Sequence, residues 1–281
     1  MIPRAYNHRM KSALTALAVC AVCSVTLVAQ WPSYPAYKTP KKANGEPDLA
    51  APAPRTADGK PDFSGVWRGA AAAAGRRGAP PPEPAPGTPP LATFRDIAST
   101  FKEGLPLTPY AKDVLAKRMA RNSKDNPEAS CLPMGIMQFW TQGFPRKFVQ
   151  TPGLVVILYE ASSGIRQYFT DGRPLPPQGE PQPYFYGYSS GRWEGDTLVV
   201  ETNNLRDDGW LDIIGTPLTD QAKLTERFRR VTFGRMEIDI TVNDPKAYAR
   251  PWTVRHLQDI MLDTDIIEFI CEENNHFTPN R

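Results

Sequence analysis

The chain has 281 residues, of which 33 are Lys or Arg and 30 are Asp or Glu. Without the three basic residues in the first eleven positions, 30 residues of each sign remain. A net charge near zero gives no electrostatic reason to bind a polyanion, so no nucleic-acid partner is expected.

The N-terminal segment has the pattern of a secretory signal. Arg4, Arg9 and Lys11 precede an uncharged, mainly apolar run over residues 12–29. This pattern predicts a signal peptide over residues 1–29 and export of the mature chain, which would be periplasmic or secreted. An uncleaved membrane anchor is the alternative, although a spanning helix needs about 20 predominantly apolar residues. No later segment is comparably apolar, so the mature chain is expected to contain no transmembrane span.

Composition divides the mature chain into an arm, one domain and a tail. Residues 30–60 are rich in proline and lysine, which predicts a tether or a surface-wrapping arm. Residues 61–275 predict a single β-rich domain that begins with a short strand, Phe63–Trp67. A low-complexity insertion over residues 69–90 has too little apolar side chain to form a core of its own. Residues 276–281 form the predicted tail.

One helix is expected before the β-rich region. Thr108 is a suitable N-cap, and Pro109 suits the first helical position. The apolar residues that follow predict a helix that ends near Arg121.

From residue 138 onward the pattern changes to short strands with turn residues between them. The clearest alternation places Met236, Ile238 and Ile240 on one face and Glu237 and Asp239 on the other. Short strands at this spacing favour a mostly β fold, an antiparallel meander that forms a closed or partly open barrel with one accessory helix. A sandwich of two sheets stays open as an alternative. The predicted strands are Lys147–Gln150, Leu154–Glu160, Ile165–Thr170, Tyr184–Trp193, Thr197–Thr202, Lys223–Thr232, Met236–Val242, Trp252–Ile260 and Asp265–Cys271.

Cysteine usage agrees with an exported domain. Cys131 and Cys271 remain after removal of the predicted signal, and they are candidates for one disulfide. Two free buried thiols are the alternative.

Most familiar catalytic and cofactor-binding motifs are absent from the sequence. Residues 187–191 read Gly-Tyr-Ser-Ser-Gly and match G-x-S-x-G, but there is no P-loop, H-E-x-x-H or G-x-G-x-x-G pattern, and no cofactor is expected. The mature chain has only His256 and His276, so a zinc site of the usual ligand types is not supported and no metal is expected. His256 is interpreted as a surface or satisfied core residue.

Carboxylates are the remaining candidates for catalysis. Glu226, Glu160 and Glu201 lie in or beside predicted strands, and paired acids can carry out general acid–base chemistry. Glu226 and Arg230 share one strand face. If that face points inward, the two would need each other as partners; the favoured interpretation is an ordinary surface pair facing outward.

Aromatic residues are plentiful and give the leading hypothesis about binding. A stripe of tyrosines is first of all core packing, but in a barrel it can line a cavity for an apolar or aromatic ligand. An arginine from a flanking strand could then orient the ligand. The candidate ligand-binding residues are Tyr168, Arg166, Tyr186, Tyr188, Arg192 and Trp252.

Several segments, taken as a set, carry a resemblance over about residues 56–275. They include DGKPDFSGVW, CLPMG, FVQTPGLVVILYE, GRWEGDTLVVET and MEIDITVNDPKAY. The set resembles a widespread family of exported bacterial proteins to which no function is assigned. Gly65-x-Trp67 also resembles the G-x-W feature of lipocalin-like barrels. The resemblance implies export and a single β domain, and it implies no catalytic residue.

Three functions are compatible with these patterns. The first is an exported protein that binds a small apolar or aromatic molecule on a lipocalin/calycin-like barrel. The second is a periplasmic hydrolase or isomerase that uses paired carboxylates on the same scaffold. The third is an envelope interaction protein. The sequence leaves the oligomeric state and the ligand undetermined.

Overall fold

The computed structural model describes residues 39–70, 86–180 and 184–271. These residues belong to one compact unit, Tyr37–Arg281. The predicted signal peptide, the first part of the arm, residues 71–85 of the insertion and the predicted tail lie outside the described residues. Within the described ranges, no helix is long and apolar enough to cross a bilayer.

Nine strands of the described chain close into a β-barrel, which confirms the predicted fold class. Two further short strands, β7 (Gly209–Trp210) and β8 (Pro217–Leu218), pair as a separate ribbon. The barrel strands are β1 (Gly65–Gly69), β2 (Arg146–Thr151), β3 (Leu154–Tyr159), β4 (Ile165–Phe169), β5 (Tyr188–Glu194), β6 (Thr197–Asn203), β9 (Lys223–Arg230), β10 (Arg235–Asn243) and β11 (Trp252–Met261).

The barrel has one parallel contact, between β4 and β5, and its other pairs are antiparallel. A closed ring with an odd number of strands cannot be antiparallel throughout, so nine strands require such a contact. The described β4 and β5 share two residue pairs, Tyr168 with Ser189 and Phe169 with Ser190. The neighbouring antiparallel pairs are much longer. The β4–β5 contact, called the seam below, is therefore the weakest join in the barrel wall.

Alternation along the strands determines which side chains fill the barrel. On β10, Met236, Ile238 and Ile240 are buried, and Glu237 and Asp239 lie between them on the other face, as predicted. Burial of such apolar side chains is the main driving force for closing the wall.

The prediction that Glu226 faces outward is wrong. Glu226 is buried on the inward face of β9, which it shares with Leu224 and Phe228. These two large apolar side chains determine the face, because exposing both would cost about 3 kcal/mol or more. The charged group between them therefore needs an internal partner. That partner is not Arg230, whose guanidinium donates to the carbonyl oxygens of Asp62 and Phe233.

The predicted helix is confirmed, and a second short helix was not expected. Helix α1 (Pro109–Ala120) begins after Thr108, whose hydroxyl accepts a hydrogen bond from the Ala111 amide at 3.3 Å. Helix α2 (Gln138–Thr141) occupies a stretch that the pattern assigned to the start of the β region. Its Trp140 is buried and packs edge-on against Phe228, with ring centroids 5.7 Å apart.

The predicted strand over Asp265–Cys271 is wrong, because this segment lies in no strand. Ile267 and Ile270 are exposed, so the stretch has no buried face to hold it in a sheet. Other contacts fix it. Lys147 on β2 pairs with Asp265 at 2.6 Å, and Cys271 forms the predicted disulfide with Cys131, with a Cα–Cα distance of 5.6 Å.

The described part of the arm, residues 39–60, contacts two turns of the barrel. The amides of Phe233 and Gly234 donate to the carbonyl oxygens of Ala51 and Leu49 at 2.7 and 2.9 Å. Arg55 pairs with Asp196 in the β5–β6 turn at 2.6 Å. The arm therefore lies along the wall over this range.

Candidate functional site

A buried ion pair joins two strands across the barrel interior. Arg166 on β4 donates from Nη1 to Oε1 of Glu226 at 2.9 Å and from Nη2 to Oε2 at 2.5 Å. Both side chains are at most 1% exposed. Burial by itself disfavours the charged guanidinium, but the adjacent carboxylate outweighs this and raises the pKa of Arg166. The arginine is therefore charged, and its charge is balanced inside the protein.

Other polar groups use the remaining capacity of the carboxylate. The indole of Trp140 donates to Oε1 of Glu226 at 3.2 Å, and the hydroxyl of Tyr168 donates to Oε2 at 3.4 Å. Arg166 also reaches the hydroxyl of Thr202 at 3.5 Å. Because both carboxylate oxygens already accept hydrogen bonds, Glu226 is a structural partner of Arg166 and is poorly placed to act as a free base.

A cavity of about 380 Å³, called the seam pocket, lies where β4 and β5 separate. Gly187, which immediately precedes β5, has φ +67°. A Cβ atom added at this position would lie 2.5 Å from the Asn203 carbonyl oxygen. Only glycine accommodates this approach without strain. The pocket is lined by Pro133, Ile165, Arg166, Gln167, Phe169, Tyr184, Phe185, Tyr186, Gly187, Tyr188 and Ser189.

Aromatic rings form much of the pocket wall, and neighbouring groups hold them in place. Phe169 and Tyr188 stack with centroids 5.3 Å apart, and the Arg173 guanidinium lies 4.0 Å above the Phe169 ring. The Arg206 guanidinium lies 4.4 Å above the ring of Phe185. Rings that are already ordered lose little conformational entropy when a ligand packs against them.

Three polar atoms of residues in or beside the pocket wall are closed off from solvent and have no hydrogen-bond partner among the described residues. They are the hydroxyls of Tyr186 and Tyr159 and the Nε of Arg166. The pKa of Tyr186 is raised first by burial and then by Tyr159, and the charge of Arg166 also acts on it, so the three groups are neighbours. Burial also raises the pKa of Tyr159. Both hydroxyls are therefore neutral and able to donate.

The structure brings three of the six predicted ligand-binding residues into the seam pocket: Arg166, Tyr186 and Tyr188. The other three lie elsewhere. Tyr168 is in the interior beside Glu226. Arg192 is on the outer face, where it pairs with Glu194 at 3.1 Å and Glu201 at 3.3 Å. Trp252, on β11, packs against Phe101 and Tyr248 with ring centroids 5.8 and 5.3 Å away.

The structure does not bring the three candidate carboxylates together. Glu226 faces the interior, whereas Glu201 lies on the outward face of β6 and pairs with Arg192. Glu160 follows β3 and accepts a hydrogen bond from the Ile267 amide at 3.0 Å. General acid–base catalysis by two acids requires both to reach one substrate position, and this arrangement does not provide that.

A second cavity, called the end pocket, has a volume of about 560 Å³ and lies beside β11 and α2. Its lining includes His256, Trp140 and Phe94. His256 is buried and its Nε2 has no partner within the described ranges, so it is a core residue that is not fully satisfied. Burial, with a further contribution from Arg146, lowers the pKa of His256 to about 3. The end pocket has fewer aromatic walls than the seam pocket.

The acidic residues in the loop after β6 pair with separate neighbouring side chains and do not converge on one metal-binding position. Asp207 pairs with Lys246 at 2.7 Å and Asp208 pairs with Arg206 at 2.7 Å. Asp212 is buried and accepts hydrogen bonds from the Thr216 amide and hydroxyl at 2.9 and 2.6 Å. Among the described residues, no three or more His, Cys, Asp or Glu side chains group as metal ligands.

Sequence reasoning missed two contributors to this site, Trp140 and Tyr159. Trp140 lies on a helix of four residues, which is too short to show a period. Tyr159 could have been found, because it shares the inward face of β3 with Val155 and Ile157 by the period of two.

No known family model, curated protein or solved structure matches this chain. The features that indicate a function are therefore the pocket, its aromatic walls and its polar groups.

Proposed function

We propose that this chain is an exported protein that binds a small, largely apolar, aromatic molecule in the seam pocket. The observation that carries the proposal is a cavity of about 380 Å³ walled by aromatic side chains, with Arg166 in its lining. Ligand sites typically have volumes of about 300–1,000 Å³ and combine apolar walls with a few polar groups. The seam pocket fits this description.

Two further features support export. The basic and then apolar start of the chain has the signal-peptide pattern. The pairing of Cys131 with Cys271 suits an oxidising compartment, where disulfides persist.

The proposal can be tested by expressing the protein with its own N-terminal segment in a bacterial host and purifying it from the periplasm. Native and denaturing mass spectra would then be compared. We expect a discrete added mass in the native spectrum that disappears on denaturation and whose fragments identify an aromatic compound. The same apoprotein mass under both conditions, together with no binding of added aromatic compounds, would contradict the proposal.

A variant in which the seam pocket is filled by a larger side chain tests where the ligand binds. Gln167 is exposed on β4 and lines the seam pocket, so Gln167→Trp would fill the mouth of the cavity without disturbing the core. We expect this variant to fold normally and lose the added mass. Gln221→Trp is the matched control, because Gln221 is exposed and is not among the pocket-lining residues. Retention of the added mass by Gln167→Trp would place the ligand outside the seam pocket.

A further inference from the structure

The end pocket lies where β1 ends and has an apolar wall. Its apolar lining includes four partly buried residues, Leu91, Ala92, Phe94 and Leu257. The segment after residue 90 is held against β11, because the Ala92 amide donates to the Arg255 carbonyl oxygen at 2.9 Å. A cavity of about 560 Å³ with such a wall is large enough for a small organic molecule. The charged residues around it restrict which class of molecule.

The end pocket has a positive charge at its edge. Its lining includes two arginines, Arg68 and Arg255, and no Asp or Glu among the described residues. Arg255 is neutralised by Asp239, to which its Nε donates at 2.6 Å. Arg68 is exposed, and its side chain makes no hydrogen bond or ion pair within the described ranges. Its guanidinium is therefore free to bind a ligand.

No acid on the neighbouring strands is left to neutralise Arg68. Asp259 lies opposite it in the β1–β11 register, but that carboxylate already has another partner. On the other side of β1, β2 contains no acid. Each acid of β10 and β11 pairs with an arginine: Glu237 with Arg229 at 2.8 Å, Asp239 with Arg255 at 2.6 Å and Asp259 with Arg235 at 3.0 Å. Arg68 is the cation in excess on this part of the wall.

A second positive charge is buried behind the pocket wall. Arg146 lies opposite Trp67 at the start of β2 and is fully buried. Its hydrogen-bond partners are all neutral: the carbonyl oxygens of Trp140 at 3.3 Å, Gln142 at 2.8 Å and Phe144 at 2.7 Å, and the side chain of Gln258. The loop that supplies these carbonyl oxygens also lines the pocket with Thr141 and Gly143. No described carboxylate hydrogen-bonds to Arg146, and an interior of low dielectric screens its charge weakly.

The charge of Arg146 acts on the pocket lining itself. His256 lines the end pocket, and its pKa is lowered first by burial and then by Arg146. An anion in the pocket would experience the same positive charge with the opposite, favourable sign. The free guanidinium of Arg68 can add a charge-assisted hydrogen bond to a carboxylate.

We propose that the end pocket is a second binding site, for a small organic anion with an apolar body, such as an aromatic carboxylate. Arg68 binds the carboxylate, and the ring packs against Leu91, Phe94 and Leu257. This site is separate from the seam pocket and takes a different class of ligand.

Two probes of similar shape test the requirement for charge: 2-naphthoate, which is an anion, and 2-acetylnaphthalene, which is neutral. Binding is measured by equilibrium dialysis with the full purified protein carrying Gln167→Trp, so that the seam pocket is filled. We expect 2-naphthoate to bind at least about tenfold more tightly than the ketone, because a hydrogen bond to a charged group is worth roughly that factor. Equal binding of the two probes, or no binding of 2-naphthoate, would overturn the inference.

Arg68→Gln then tests the assigned cation in the same Gln167→Trp background. This variant should weaken binding of 2-naphthoate about tenfold, and Arg68→Lys, which keeps the charge, should recover part of the affinity. Arg192→Gln is the matched control, because it removes one positive charge from the outer face at a residue that does not line the end pocket. It should leave the affinity within about twofold. Unchanged binding in Arg68→Gln, or an equal loss in the control, would contradict the assignment.

The outcomes distinguish failure of the end-pocket site from failure of the seam-pocket site. If 2-naphthoate binds the wild type but not Gln167→Trp, it occupies the seam pocket, and only the end-pocket site is overturned. A wild type that retains no ligand and binds no neutral aromatic compound, yet binds 2-naphthoate when Gln167→Trp is present, would contradict the proposed function alone.

Discussion

At the scale of single residues, the Arg166–Glu226 pair is the interaction whose disruption should lower the free energy of unfolding most. Both groups are buried, so removing one charge leaves the other without compensation. Glu226→Gln should lower the free energy of unfolding by about 3–5 kcal/mol, measured by urea denaturation. The amide oxygen of glutamine can still accept from Trp140, so the loss reports mainly on the charge.

The matched control replaces both partners. In Arg166→Met with Glu226→Gln, no buried charge is left unpaired, and much of the lost stability should return. A Glu226→Gln protein within about 1 kcal/mol of the wild type would mean that solvent reaches the pair, contrary to the enclosed arrangement described above.

His256 is expected to make the stability of the folded protein depend on pH. Burial lowers its folded pKa to about 3, whereas the unfolded value is about 6.5. The unfolded chain therefore binds more protons between these values, and stability falls as the pH drops below about 6.5. The expected slope approaches about 1.4 kcal/mol per pH unit from this residue.

The contribution of His256 can be measured between pH 7 and pH 5, where few carboxylates titrate. We expect His256→Gln to show a flatter loss of unfolding free energy over this range than the wild type does. Equal slopes in the two proteins would show that His256 has the same pKa folded and unfolded.

At the scale of elements, the seam is where the wall should open most readily. The described β4 and β5 share two residue pairs, whereas β9 and β10 share eight. Fewer interstrand hydrogen bonds and an adjacent cavity lower the free energy of local opening. In hydrogen–deuterium exchange, peptides that cover β4 should exchange faster than peptides that cover β10.

A bound ligand should then slow exchange in β4 and leave β10 unchanged, because binding stabilises the closed seam. Exchange in β4 that is as slow as in β10 would indicate that the wall is uniformly stable and that a ligand does not enter through the seam.

At the scale of the whole molecule, the disulfide links regions that lie far apart in the sequence. Cys131 and Cys271 are 140 residues apart, so their bond removes much of the loop-closure entropy of the unfolded chain. For a loop of this length the stabilisation is about 5 kcal/mol if the bond adds no strain. The Cys131→Ala, Cys271→Ala variant should unfold at a clearly lower urea concentration.

A reducing agent should have the same effect on the wild type and none on the double variant. An unchanged midpoint after reduction would show that the unfolded chain gains little freedom from breaking the bond. The comparison distinguishes loss of the cross-link from loss of side-chain packing.

Strong periodicity made much of the barrel predictable from the sequence. The alternation on β10 identified a wall strand, and Thr108 with Pro109 identified the start of α1. Prediction failed where tertiary contacts overrode the local pattern. Asp265–Cys271 is apolar in composition but is held by a disulfide and an ion pair, and α2 is too short to show a period.

The candidate site was only partly predictable for a related reason. Arg166, Tyr186 and Tyr188 were identified because arginine and tyrosine are the residue types that orient aromatic ligands. The inward face of Glu226 follows from Leu224 and Phe228 beside it, but its partner Arg166 lies 60 residues away, and no local pattern shows that pairing.

The most direct test of ligand binding is a crystal structure of the protein purified from the periplasm, with 2-acetylnaphthalene added if no molecule is retained. We predict electron density for one aromatic molecule between β4 and β5, packed against the rings of Phe169 and Tyr188. An empty seam pocket, with the ligand in the end pocket beside His256 or absent, would contradict the account.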